Sequence, residues 1–138
     1  MTGRYEVLEH TADVGLGLTG DSPEEVLEAA AEGLATLQGA WFPGEGADVP
    51  VEVSAADLPG LLVRWLDEVL YLLESRDAVL GGVTVRDVDS GRAVGTLSLG
   101  SRGDRDLESA GIKATTFHRI RFEREPNGTW SADVYLDV

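Results

Sequence analysis

Asp13 follows His10, Thr11 and Ala12 in a short bend, Asp137 lies on the last strand-like run, and the Val138 main chain adds a carboxylate one residue later. If the amino-terminal bend packs beside the carboxy-terminal strand, two or three anionic oxygens converge with no basic residue close by in sequence. Such a cluster offsets its own repulsion by binding a cation or holding a proton. Hard oxygen donors suit Ca2+ or Mg2+ better than zinc, which prefers nitrogen and sulfur. The plain alternative is that Asp13 serves only an Asx turn and Asp137 is an ordinary exposed carboxylate.

The remaining chemical groups are few. Lys113 is the sole lysine beside ten arginines, a compact ammonium among guanidiniums. His118 falls on the apolar side of its strand pattern and is expected to be a hydrogen-bonded core imidazole; His10 reads as packing at a strand end. Arg102, Arg105, Lys113, Arg119, Arg121 and Arg124 are six of the eleven basic groups, either a docking patch or a solvated loop and strand face.

Other chemistries are excluded or weak. The chain has no cysteine, which removes thiolate catalysis, Cys-type zinc sites and disulfides, and its two histidines cannot form a three-His metal site. No Gly-x-Ser-x-Gly elbow, phosphate-loop Gly-Lys-Ser or His-Glu-x-x-His occurs. Gly15-Leu16-Gly17-Leu18-Thr19-Gly20 fits the dinucleotide fingerprint on paper. Leu16 and Leu18 continue a strand alternation through it, however, and Asp21, Glu24 and Glu25 crowd the helix start where a pyrophosphate would sit. Eleven basic against 25 acidic side chains give a formal charge of -14, which repels a phosphate backbone. No run approaches the ~20 apolar residues of a membrane-spanning helix and no secretory leader is read at the start, so a cytoplasmic protein without a membrane role is expected.

The positioning elements follow from periodicity. With 138 residues and 43% hydrophobic side chains, residues 1–138 form one domain with a core of its own. Strands are expected at 5–10 and 15–19. Ser22-Pro23-Glu24-Glu25 is a capping box opening a helix to about Leu37, with Val26, Leu27, Ala30, Leu34 and Leu37 inward and Glu24, Glu28 and Glu32 in water. Residues 39–48 form a loop whose Trp41 and Phe42 are either a plug or a contact surface. A strand at 49–53 leads to a second, more apolar helix over 57–75. Strands at 83–87 and 93–99 flank a turn at Asp89-Ser90-Gly91, and an irregular segment covers 101–109. The last pair, 113–124 and 130–138, turns at Pro126-Asn127-Gly128. A three-residue turn with Gly128 left-handed pairs Glu125 with Thr129, Phe122 with Ala132, Arg121 with Asp133, Ile120 with Val134 and His118 with Leu136. It leaves Asp137 opposite Phe117. The expected class is α+β, a mainly antiparallel β-sheet with two amphipathic helices packed on it.

Four blocks, in order and across essentially the whole chain, resemble the archease family: residues 10–15 (His-Thr-Ala-Asp-Val-Gly), 61–72, 112–118 (Ile-Lys-Ala-Thr-Thr-Phe-His) and 134–138 (Val-Tyr-Leu-Asp-Val). The resemblance implies a protein cofactor, with no catalytic residues of its own, of an RtcB-type RNA ligase. That ligase joins RNA ends in tRNA splicing and RNA repair, and the cofactor promotes its guanylylation and multiple turnover. By the same resemblance Asp13 and Asp137 hold a divalent metal, with the Val138 main chain as a third ligand. Lys113 matches the family's functional lysine and is placed with His10 among the residues for partner activation. RNA is then met only through the ligase, and the oligomeric state is left open. Phe117 stands where the family commonly has tyrosine, and the 101–109 segment departs from the family's usual connection. Two other classes remain open on the residues: a free-standing phosphoesterase or nuclease using Asp13 and Asp137 on a metal with His10 as base, and a chaperone-like scaffold acting through Trp41 and Phe42.

Overall fold

The computed structural model describes residues 3–9 and 13–138. Among the described residues, seven strands and two helices follow the order β1 (Arg4–Glu9), β2 (Asp13–Gly20), α1 (Pro23–Leu37), β3 (Ala47–Ser54), α2 (Leu58–Ser75), β4 (Ala78–Val88), β5 (Arg92–Ser101), β6 (Ala114–Arg124) and β7 (Trp130–Asp137). The class is the expected α+β one. The strands form two antiparallel sheets rather than one, β1-β2-β7-β6 and β3-β5-β4. Each helix touches both: α1 packs on β1, β2 and β7 and on β4, α2 on β6 and on β3, β4 and β5.

Local sequence explains where the helices start. The Ser22 hydroxyl accepts from the Glu25 amide at 3.2 Å, and the Glu25 carboxylate accepts from the Asp21 amide at 3.0 Å, so one donor on each side of Pro23 is satisfied. Asp57 caps α2 by accepting from Gly60 N at 2.9 Å. The inward stripe of α1 is as expected, with Val26, Leu27, Ala30 and Leu34 fully buried. Glu28 departs from its wet-side expectation: its carboxylate accepts from the Val85 amide of β4 at 2.9 Å, tying α1 to the smaller sheet. Trp65 of α2 is fully buried, and its indole N–H donates to the Leu27 carbonyl at 2.9 Å. Aliphatic side chains filling this core contribute about 1.5–3 kcal/mol each. Trp41 packs against the core, and Phe42 lies under the Arg105 guanidinium, 4.2 Å from ring centroid to carbon, so the pair is a plug.

The last hairpin keeps its expected turn and loses its expected register. Glu125 N donates to Thr129 O at 2.7 Å, Gly128 has φ +90°, and Phe122–Ala132 and Arg121–Asp133 pair as anticipated. Beyond Arg121 the ladder breaks and resumes with Thr116–Tyr135, Thr115–Leu136 and Ala114–Asp137. Residues 117–120 therefore loop out opposite Val134. The slip is odd in number, so the sides of the strand exchange below it. Thr115, not Thr116, turns inward, donating its hydroxyl to Asp67 of α2, while His118 is exposed instead of in the core. Arg119, inside the loop, has φ +55°, a left-handed conformation that costs a residue bearing a β-carbon about 1–2 kcal/mol.

Candidate metal centre

β7 is inserted between β2 and β6, and this topology brings the two ends of the sequence together. The β2–β7 ladder sets Asp13 directly opposite Asp137, then Val14 opposite Leu136 and Gly15 opposite Tyr135. Leu16, Leu18, Val134 and Leu136 are buried, so Leu136 with Val14 marks the inward side and Asp13 with Asp137 leaves the sheet on the outer one. Directly opposed residues hold their Cβ atoms roughly 4.5–5.5 Å apart. Among the described residues neither carboxylate is in an ion pair.

Lys113 arrives at the same place. Its amide donates to the Asp137 carbonyl at 2.8 Å, and its side chain is exposed and in no ion pair among the described residues. The slip in β6 produces this: in the unbroken register Asp137 would face Phe117. The approach to Lys113 is fixed by Gln38, the chain's one glutamine, at the end of α1. Its amide oxygen accepts from the Ser109 hydroxyl at 2.8 Å and from the Ile112 amide at 3.1 Å, and Ala110 N donates to Leu37 O at 2.8 Å. The irregular segment before Lys113 is thus strapped to the helix. Sequence reasoning missed Gln38; a lone amide at a helix end before Gly39 was the available signal.

Beside the carboxylate pair the outer face carries Tyr135, whose ring lies across Gly15. A Cβ at Gly15 would come within 2.8 Å of that ring and 2.9 Å of the Leu8 Cβ. His118 leans edge-on against Tyr135, with 6.4 Å between ring centroids and a 65° interplanar angle. Further along, Arg121 is taken up by Asp133 (3.0 Å), Glu123 (2.9 Å) and Glu125 (3.2 Å), and the hydrogen bond it donates to Asp133 is the main reason its pKa is pushed further up. Arg105 pairs with Glu45 at 2.5 Å and Arg102 with Asp77 at 3.5 Å. Of the six clustered basic groups, Lys113, Arg119 and Arg124 have no ion pair among the described residues.

The donor set fits a hard cation. Asp13 and Asp137 supply carboxylate oxygens from one face, Val138 follows Asp137 on the exposed chain with its main-chain oxygens, and no cysteine competes. Among the described residues no group of three His, Cys, Asp or Glu side chains converges, so a bound ion would keep water or partner ligands. His10 lies outside the described residues. Among them no helix is long and apolar enough to cross a membrane.

Fold and site together define a small α+β protein that presents opposed carboxylates at the open end of a four-stranded sheet. Residues 5–138 match the Archease protein family (MTH1598/TM1083), and the chain belongs to that family. It is 31% identical to protein archease of Pyrococcus furiosus over 98% of this chain and 99% of that one, and 34% identical to protein archease of Thermococcus gammatolerans over the same shares. The solution structure of Methanobacterium thermoautotrophicum protein 1598 is similar at a TM-score of 0.75 and 28% identity, covering 97% of this chain and 98% of that one. A crystal structure from Thermotoga maritima, described as an archease and possible chaperone, shares the fold at a TM-score of 0.63 and 24% identity over 96% of each chain.

Proposed function

We propose that this protein is a metal-binding accessory factor that activates an RtcB-type RNA ligase, promoting guanylylation of the ligase and its multiple turnover in cytoplasmic tRNA splicing and RNA repair. The observation that carries the reading is the direct cross-strand opposition of Asp13 and Asp137 on an exposed sheet face. Asp13, Asp137 and the Val138 main chain would hold a Ca2+ or Mg2+ ion, which supplies concentrated positive charge for phosphate oxygens. Lys113, anchored through its amide to Asp137, offers a point-charge contact to a phosphate or to a ligase carboxylate. The face around these residues is otherwise acidic, with Arg121 already bound to three carboxylates, so RNA is met through the ligase and not directly.

The test is guanylylation of the cognate ligase with labelled GTP, with and without this protein, in the wild type and in Asp13→Ala and Asp137→Ala. The expected result is stimulation by the wild type. Each variant should lose at least the roughly 10- to 100-fold that removal of an outer-shell partner costs a metal site, with circular dichroism unchanged. Full stimulation by both variants would overturn the reading. Incubation without ligase, with RNA and phosphoesters under Ca2+ or Mg2+, should give no turnover; turnover there would favour a free-standing hydrolase.

A further inference from the structure

The looped-out stretch of β6 is a feature that the carboxylate pair does not use. Four residues, 117–120, stand opposite Val134 alone. Phe117 is 63% exposed, the most exposed large apolar side chain described. The His118 amide donates to the Thr116 hydroxyl at 3.2 Å and closes the base of the loop, while the imidazole rests against Tyr135. That contact braces the loop on the face that carries Asp13 and Asp137. Arg119 is held left-handed and, among the described residues, is in no ion pair; Arg121, two residues on, is saturated by Asp133, Glu123 and Glu125. Ile120 at the end of the stretch packs against the core, but Phe117, His118 and Arg119 are exposed, so the part that breaks the ladder, strains Arg119 and leaves an aromatic ring in water is not held by core packing. Strained bulges of this kind gather at recognition sites.

We infer that residues 117–119 are a docking finger for a protein partner: the Phe117 ring seats in an apolar pocket and the Arg119 guanidinium pairs with a carboxylate on its rim. Aromatic and arginine side chains are the usual anchors of protein interfaces. A ring beside a cation also suits base stacking, but the surrounding face carries Asp13, Asp137, Asp133, Glu123 and Glu125 and the chain a formal charge of -14, which repels an RNA backbone. The partner is the ligase of the function proposed above, and the inference rests on that reading.

The experiment titrates cognate ligase into fluorescently labelled protein: wild type, Phe117→Ala, Arg119→Glu and Arg119→Gly. A single-stranded RNA titration and sedimentation velocity of each protein alone run alongside. Phe117→Ala and Arg119→Glu should each weaken ligase binding about tenfold or more. Arg119→Gly should also weaken it while melting at or above the wild type, because glycine takes the left-handed conformation freely, so its loss is not unfolding. Wild type that does not bind ligase at all would overturn the function proposed above and the finger with it. Wild type that binds ligase, with all three variants binding equally well, would overturn the finger alone. Ligase binding unchanged in Phe117→Ala, with RNA binding lost or a wild-type dimer dissociated, would assign the finger to RNA or to a second copy of the chain and overturn the proposal.

Discussion

The Lys113 amide donates to the Asp137 carbonyl at 2.8 Å, so the chain's only lysine and one of its two opposed aspartates are coupled through the main chain and not through their side chains. A substitution at Lys113 therefore removes a charge without releasing the strand that holds Asp137. Lys113→Ala is expected to bind Ca2+ as tightly as the wild type or slightly more tightly, since a nearby cation is lost, while stimulation of ligase guanylylation falls. Calorimetric Ca2+ titration beside the guanylylation assay checks the split; parallel loss of both would show that Lys113 holds the site together.

Asp13 and Asp137 repel one another when no cation lies between them, and like charges directly across a ladder destabilise it by about 0.2–1 kcal/mol. Asp137→Asn should therefore melt slightly above the wild type in a chelator. With Ca2+ at a hundred times its dissociation constant the order should reverse, because binding stabilises the wild type by about 2.7 kcal/mol and the variant far less. Thermal melts with and without Ca2+ test the crossover, and its absence would remove the cation from the site.

Two glycines of β2 should respond oppositely to alanine. At Gly15 the new Cβ would meet Tyr135 at 2.8 Å and Leu8 at 2.9 Å, an overpacking worth about 1–3 kcal/mol of destabilisation. At Gly17 the nearest atom is 3.7 Å away, so Gly17→Ala should be neutral or mildly stabilising. Urea unfolding midpoints of the two variants give the comparison.

Glu28 makes a pH-dependent contribution whose sign is fixed by its surroundings. Burial between α1 and β4 raises its pKa, against the pull of the Val85 amide, and Glu25 and Glu24 raise it further. The folded state thus holds the proton more tightly than the unfolded one. The stabilisation is fully present below the unfolded value near 4.5 and is lost as pH rises through the higher folded value. Glu28→Gln, which keeps an acceptor for Val85, should be more stable than the wild type at neutral pH, and the gap should narrow as pH falls. Denaturant unfolding across a pH series measures it; a gap that widens toward acid would contradict the assignment.

Helix starts and the final turn were legible because their signals are local. Ser22 with Glu25, and Asn127-Gly128, satisfy backbone groups within a few residues and do so where the sequence indicated, and the second helix starts one residue after the expected Asp57, which caps it. The pairing of Asp13 with Asp137 was legible only as a condition, since no local signal states which strand lies beside which. The slip in β6 was hidden. Residues 114–122 alternate in polarity well enough to read as one strand, and Arg119 carries none of the glycine that usually marks a left-handed turn. Alternation alone therefore points His118 into the core and sets Asp137 opposite Phe117, whereas the slip exposes His118 and sets Asp137 opposite Ala114. The division of the strands into two sheets, and the strap that Gln38 makes with Ser109 and Ile112, depend on contacts between distant segments that alternation does not encode.

Because β7 is wedged between β2 and β6, it is the strand that joins β1 and β2 to β6 in one sheet. A chain without β7 would present no opposed aspartates, whatever else of it folded. The carboxylate pair therefore exists only where the sheet has closed, so that loss of β7 would split the sheet and dissolve the pair in one step.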